Sequence, residues 1–108
     1  MKTIQPNCPM GATLCILSGK WKLLILTQLM TGTCRFSELQ SAIPEITQRM
    51  LTKQLRELEE LKIINRTVYP IVPPKVEYSL TSTGLSLKPI LETLKKWGEF
   101  YITTCHAS

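Results

Sequence analysis

A mainly α fold carrying one small β-hairpin is what this sequence predicts, and three observations carry the prediction. Apolar residues recur at three- and four-residue spacing in several stretches, each bounded by a capping residue, a glycine or a proline. A short helical stretch and a longer one are separated by only a few residues around Pro44. Beyond them, two β-rich stretches flank a cluster of prolines, Pro70, Pro73 and Pro74.

Asn7 or Cys8 can cap a first helix opened by Pro9, since proline suits the first helical position, and Ser18-Gly19 ends it. Residues 20–31 form a second helix with Trp21, Leu24, Ile25 and Leu29 on one face, closed by Gly32. A short extended piece, Thr33-Cys34-Arg35, leads to a third helix from about 38 to 43, with Ser37 and Gln40 as its capping box and Pro44 as its stop. Thr47 caps a fourth helix over about 48–62. A short helix, a tight turn and a longer helix, here about 37–62, make the helix-turn-helix pattern. Ile64–Tyr69 and Lys75–Leu80 read as the two strands of a hairpin with a proline-stiffened tip, a wing over about 64–80. Thr81 or Ser82 caps a long last helix, about 82–104, with an apolar stripe of Leu87, Ile90, Leu91, Leu94, Trp97 and Tyr101. Pro89 kinks or restarts that helix. Residues 1–108 therefore read as a single winged helix-turn-helix domain.

Composition bounds the functions open to it. A chain of 108 residues is one domain and buries roughly two-thirds of its unfolded surface, enough to fold without disulfides. An apolar fraction of 44% excludes a disordered chain. The densest apolar run, Leu23-Leu24-Ile25-Leu26, is far short of the ~20 residues of a membrane span. The opening MKTIQPNCPM has no apolar signal region, so a cytoplasmic protein is expected. The 13 basic and 8 acidic residues leave a net charge of +5, which leans towards an anionic partner only if placement supports it.

Catalysis is poorly served. His106, the single histidine, sits beside Cys105 near the chain end, and no C-x-x-C occurs, so neither a zinc site nor a buried Ser or Cys nucleophile is indicated. The glycines stand alone and form no phosphate loop. Glu57, Glu59 and Glu60 lie among lysines and arginines and read as a solvated face. No metal or cofactor is expected. Cys8 and Cys15 would be held roughly 10 Å apart by a helix, beyond disulfide reach. Cys15 and Cys34 read as small core hydrophobes.

The fourth helix carries the functional signal. At ~100° per residue, Leu51, Leu55 and Leu58 share a narrow core sector, while Arg49, Lys53, Arg56 and Glu60 fall opposite, flanked by Gln48 and Thr52. Residues 46–56 contain no acid, and the acids crowd the C-terminal half. That order opposes the helix dipole and puts the Lys53–Glu57 and Arg56–Glu60 pairs in their weaker orientation. Such an N-terminal half suits a major groove and its phosphates: Arg pairs with guanine, Gln with adenine, and Thr meets a phosphate or a thymine methyl. Arg35 and Ser37 can hold a phosphate before the third helix. Arg66 and Lys75 are the wing's cations, Lys75 near a stiff tip that can touch the minor groove or backbone. The DNA-contacting set expected is Arg35, Ser37, Thr47, Gln48, Arg49, Thr52, Lys53, Arg56, Arg66 and Lys75.

The last helix has a different task. Trp97, Phe100 and Tyr101 beside a leucine stripe are too much apolar surface for an outer helix of so small a domain. The expected use is a dimer interface through Leu91, Leu94, Trp97, Phe100 and Tyr101, joined by the N-terminal helix. A homodimer would set two recognition helices on half-sites ~34 Å apart.

These stretches resemble the HxlR-type family of bacterial winged helix-turn-helix transcriptional regulators, relatives of the MarR group. The resemblance rests on Gly19-Lys20-Trp21-Lys22, Arg35-Phe36-Ser37-Glu38-Leu39, Ile46-Thr47-Gln48-Arg49-Met50-Leu51-Thr52, Leu55-Arg56-Glu57-Leu58-Glu59, and above all Val72-Pro73-Pro74-Lys75-Val76-Glu77-Tyr78. It covers roughly residues 8–101, with Gly84, Leu87 and Trp97 in the last part. It implies a dimeric, non-enzymatic regulator that binds an operator in double-stranded DNA. It also implies that Cys8, directly before Pro9, matches an N-terminal cysteine through which some members sense oxidants or electrophiles; helix N-termini favour thiolates in general. The effector implied is an oxidant or another small molecule. Cys105 of a second subunit is a candidate partner thiol from placement only. Two departures stand out: Cys34 replaces a common basic residue, and Leu61-Lys62 replaces an acidic-Gly turn. The alternative function is a winged-helix protein-interaction module that has given up DNA.

Overall fold

The computed structural model describes residues 8–105, so Asn7 and His106 lie outside the described residues. The chain begins with α1 (Pro9–Leu17), where Cys8 is the N-cap and its Sγ accepts the Gly11 N–H at 3.3 Å. Gly19, at φ 84°, supplies the left-handed step into α2 (Lys20–Leu29). The buried face of α2 is Lys22, Ile25, Leu26 and Leu29, whereas Leu24 is exposed and Trp21 half-buried. The expected face, with Trp21 and Leu24, is therefore rotated. The true stripe also follows i, i+3, i+4, i+7 spacing, but a lysine stands on it.

The extended piece is β1 (Cys34–Arg35), and it joins the wing. It pairs antiparallel with β3 (Lys75–Leu80), Cys34 opposite Tyr78 and Arg35 opposite Glu77. β3 pairs in turn with β2 (Ile64–Tyr69), from Ile64 opposite Leu80 to Tyr69 opposite Lys75. Both hairpin strands match their expected bounds, and the sheet gains a third strand in the order β1-β3-β2.

Strand pairing through Arg35 also resets the next helix. α3 (Phe36–Ala42) starts at once, with Arg35 as N-cap and Glu38 Oε1 accepting the Arg35 N–H at 2.7 Å. The expected Ser37–Gln40 capping box does not form, because Ser37 already lies in the first turn. Gln40 instead donates to the Ile46 carbonyl at 3.4 Å, fastening α3 to the turn beyond it.

α4 (Gln48–Glu60) is capped by Thr47, whose Oγ1 accepts the Met50 N–H at 3.1 Å. Leu51, Leu55 and Leu58 are fully buried among Ile25, Leu26, Leu39, Ile63 and Ile64. The helix stops two residues before its expected end. Lys62 takes φ 63°, its N–H bonding Glu59 O at 2.9 Å while the Ile63 N–H reaches Leu58 O at 3.0 Å. That pair of bonds is a Schellman cap with lysine in the position glycine usually holds.

Thr81 joins this cap to the C-terminal helices. Its hydroxyl donates to Lys62 O at 2.8 Å and accepts the Gly84 N–H at 3.0 Å. A Cβ on Gly84 would collide with the Ile63 carbonyl, which explains glycine there. The last helix expected from about 82, with a kink or restart at Pro89, is two helices, the second restarting at Lys88. α5 (Ser82–Leu85) is one turn, Leu87 drops into the core, and α6 (Lys88–Cys105) restarts with Pro89 at its second position, where the missing N–H is harmless. Cys15 and Cys34 are half-buried and not fully enclosed as expected of core residues. Among the described residues no single helix is long and apolar enough to cross a membrane.

Candidate nucleic-acid interface

The fold brings most of the expected DNA-contacting residues to exposed positions. Thr47, Gln48, Arg49, Thr52, Lys53 and Arg56 are all exposed along the first two-thirds of α4. Thr52 Oγ1 donates to Gln48 O at 2.9 Å, which leaves its methyl and oxygen lone pairs for a partner. Arg35 and Ser37 are exposed at the start of α3.

The charge of α4 is organised from its inner side. Lys22 on α2 donates to Glu57 Oε1 at 2.6 Å and to Gln54 Oε1 at 2.8 Å. This hydrogen bond holds the Glu57 carboxyl below the ordinary carboxylate range, with burial opposing it and the charge of Lys22 assisting. The first acid after the basic stretch is thus neutralised by a buried lysine and drawn off the outer face. The expected Lys53–Glu57 pair gives way to this one, although Lys53 still lowers the Glu57 pKa slightly. Sequence reasoning missed Lys22. Its only signal was its place on the Lys22-Ile25-Leu26-Leu29 stripe, opposite a helix with a carboxylate at the matching height.

Arg56 of α4 and Arg66 of β2 share one cleft. Both line a cleft of about 400 Å³, with Glu59 between helix and sheet and Phe36 and Tyr78 as its apolar wall. Two guanidiniums on one cleft extend the basic surface from helix to wing.

Lys75 lies beside the proline tip, as its place after Pro74 predicts. It stands at the foot of the tip, half-buried, its Nζ 3.2 Å from Glu77 Oε2 and 5.0 Å above the Tyr69 ring centre. Tyr69 donates to Glu77, which pushes the phenol up and, with Lys75, holds the Glu77 carboxyl down. The lysine charge is therefore already engaged.

α6 buries no residue completely in this chain. Leu91 is half-buried, while Leu94, Trp97, Phe100 and Tyr101 are exposed, as are Met10 and Leu14 of α1. Trp97 and Tyr101 stack with ring centres 5.4 Å apart, so the patch is preordered. Cys8 and Cys105 are both exposed and free. Burial, and then Glu38, pushes the Cys34 thiol up, which disfavours its reactive form.

A family model described as HxlR-like helix-turn-helix matches residues 16–106. An uncharacterized HTH-type transcriptional regulator of Bacillus subtilis (strain 168), YdeP, is 54% identical over 95 residues, 88% of this chain and 74% of its own. Among solved structures, the redox regulator HypR in its oxidized form is 52% identical with a TM-score of 0.80, over 85% of this chain and 95% of that one. Its reduced form aligns with a TM-score of 0.88 at 46% identity, over 94% of this chain and 100% of that one.

Proposed function

This chain belongs to the HxlR-like helix-turn-helix family and is a transcriptional regulator of helix-turn-helix type, and from that premise we propose that it works in the cytoplasm as a homodimer on an operator in double-stranded DNA. α4 enters the major groove. Arg49 and Gln48 read base edges, Thr47 and Thr52 contact phosphate or a thymine methyl, and Lys53 and Arg56 neutralise phosphates. Arg35 and Ser37 hold the backbone beside α3, and Arg66 does so across the cleft from Arg56. Lys75 adds its charge beneath the wing tip, reduced by its pairing with Glu77. A second copy covers Leu91, Leu94, Trp97, Phe100 and Tyr101. The carrying observation is the outer face of α4, acid-free through Arg56, with Glu57 turned to Lys22.

The dimer is thiol-responsive in this reading. Cys8 is exposed at the N-cap of α1, and its sulfur is close to the Gly11 N–H. The similar HypR is described as a redox regulator in both oxidized and reduced forms, which supports a redox role for this thiol. Cys105 of a second copy is the candidate partner. The experiment is a titration of reduced and mildly oxidised protein onto duplex DNA from upstream of its own gene, followed by fluorescence anisotropy. Tight, salt-sensitive binding in the reduced state that changes on oxidation is expected, and Cys8→Ser abolishes the change. A response surviving in Cys8→Ser removes Cys8 from the role. Absent or salt-insensitive binding favours the protein-interaction module instead.

A further inference from the structure

The rotation of α2 leaves apolar surface that the core does not use. The buried face runs through Lys22, Ile25, Leu26 and Leu29, so Trp21 and Leu24 fall on the flank, one half-buried and the other exposed. The turn after α3 brings Ile43 and Pro44 beside them. Together these four side chains wall a pocket of about 160 Å³, apart from the Arg56–Arg66 cleft. An apolar cavity of roughly 150 Å³ accepts one benzene-sized molecule, so this pocket has room for a single ring.

Both ends of the pocket are polar. At one end Lys20 and Glu45 pair at 2.9 Å. Lys20 Nζ also stands 4.8 Å from the centre of the Trp21 ring, so two contacts fix the position of an otherwise exposed charge. At the other end Gln28 is half-buried, and its side-chain amide has no hydrogen-bond partner among the described residues. Residues 20 and 28 are about 12 Å apart along the helix axis.

Paired opposite charges discriminate against simple ions. A lone carboxylate is drawn to Lys20 but repelled by Glu45, and a lone amine meets the reverse. A zwitterion satisfies both and leaves the Lys20–Glu45 contact in place, as four alternating charges. The ring-sized apolar space and the Trp21 face suit an aromatic side chain. The free amide of Gln28 suits a hydroxyl on the far edge of that ring. Pro44 and Glu45 belong to the turn that ends at Thr47, the N-cap of α4, so a ligand here touches the segment that carries that helix.

We propose that this pocket binds a free aromatic amino acid. Its ring lies beside Trp21, its carboxylate on Lys20, its ammonium on Glu45 and a ring hydroxyl on Gln28. The site stands independently of DNA binding.

The test uses the full chain, isotopically labelled, and follows its two tryptophan indole N–H signals by nuclear magnetic resonance during titration with L-tyrosine. Trp21→Phe assigns the signals, and Trp97 on α6 is the internal control. The Trp21 signal should shift and saturate with a Kd on the order of 1 mM or below, while Trp97 stays in place. Tyramine lacks the carboxylate and desaminotyrosine lacks the ammonium. Each should bind about fivefold more weakly, the scale of one exposed charge contact. Lys20→Gln should bind L-tyrosine and tyramine alike, and Glu45→Gln should bind L-tyrosine and desaminotyrosine alike. Gln28→Leu should weaken L-tyrosine and leave L-phenylalanine unchanged. Lys20 and Glu45 are exposed, so both charge variants keep the fold, and circular dichroism checks each one. A Trp21 signal that does not saturate overturns the proposal, as do equal shifts of both indoles. Equal affinity of the wild type for L-tyrosine, tyramine and desaminotyrosine overturns it too. So does a Trp21 signal that moves with protein concentration and not with L-tyrosine, because a second copy would then cover the pocket.

Discussion

Lys22 Nζ lies 2.6 Å from Glu57 Oε1, tying α2 to α4 from inside the domain. The lysine side chain is 9% exposed and the glutamate side chain 19%. Removing one member of such a pair strands the other charge in a poorly hydrated place. Lys22→Met should therefore lower unfolding free energy by about 2–3 kcal/mol in urea titration, below the ~3–5 of a fully enclosed pair because Glu57 keeps some solvent. A loss under about 0.5 kcal/mol would reduce the bridge to an ordinary surface contact.

The same bridge sets an acid limit. Its hydrogen bond is the main cause that holds the Glu57 pKa below the ordinary value of 4.5. A carboxyl depressed in the folded state stabilises the fold above its unfolded pKa, and that contribution disappears as pH falls through the folded value. Wild-type stability should therefore decline from about pH 4.5 downward more steeply than that of Glu57→Gln, which lacks the titrating group. Parallel acid limbs in urea titrations across pH would exclude Glu57 as a contributor.

The helix that ends in Lys62 offers a stability gain. An L-residue in the left-handed region carries about 1–2 kcal/mol of strain, against roughly 0.5–1 kcal/mol for the extra unfolded freedom of glycine. The cap bonds themselves are backbone bonds and remain. Lys62→Gly should stabilise the domain by about 0.5–1 kcal/mol, read as a raised urea midpoint at constant slope. A lowered midpoint would mean that the lysine side chain contributes something the geometry does not reveal.

Sequence reasoning found the elements that local spacing and capping determine, except that α5 was merged with α6. Thr47 as a cap, the leucine stripe of α4 and the two wing strands need only spacing and side-chain type. It failed where a partner distant in sequence decides. Arg35 became the cap of α3 because β1 pairs with β3, a contact no local pattern announces. Lys22 entered the core because Glu57 meets it there, whereas a hydrophobic wheel assigns lysine to solvent. Lys75 was legible as a wing cation, but its pairing with Glu77 and Tyr69 depends on the register across the hairpin. The exposed basic face of α4 was legible because exposure is dictated directly by the opposite leucines.

The apolar face of α6 makes an oligomeric prediction. Leu94 and Trp97 are 48% and 61% exposed in the single chain, so a charge there leaves the fold of one chain intact. Leu94→Glu should shift sedimentation from dimer to monomer while leaving far-ultraviolet circular dichroism unchanged. Operator affinity should then fall by about 10²–10⁴, since the second half-site no longer binds as part of one molecule. Unchanged sedimentation would place the interface elsewhere.

Arg49 and Lys53 separate reading from holding. Both are exposed on one face of α4, Arg49 in its first turn and Lys53 one turn further on. If Arg49 pairs with a base edge, Arg49→Ala weakens the selected operator by about 1–3 kcal/mol, while binding to unrelated DNA changes far less. If Lys53 neutralises a phosphate, Lys53→Ala weakens both by similar factors and lowers the salt slope by about one. Anisotropy titrations of the two variants on operator and random duplex, each over a range of salt, distinguish these roles. Equal losses on both duplexes for Arg49→Ala would reassign it to the backbone and move base reading to Gln48 and Thr52, the uncharged polar side chains flanking that face.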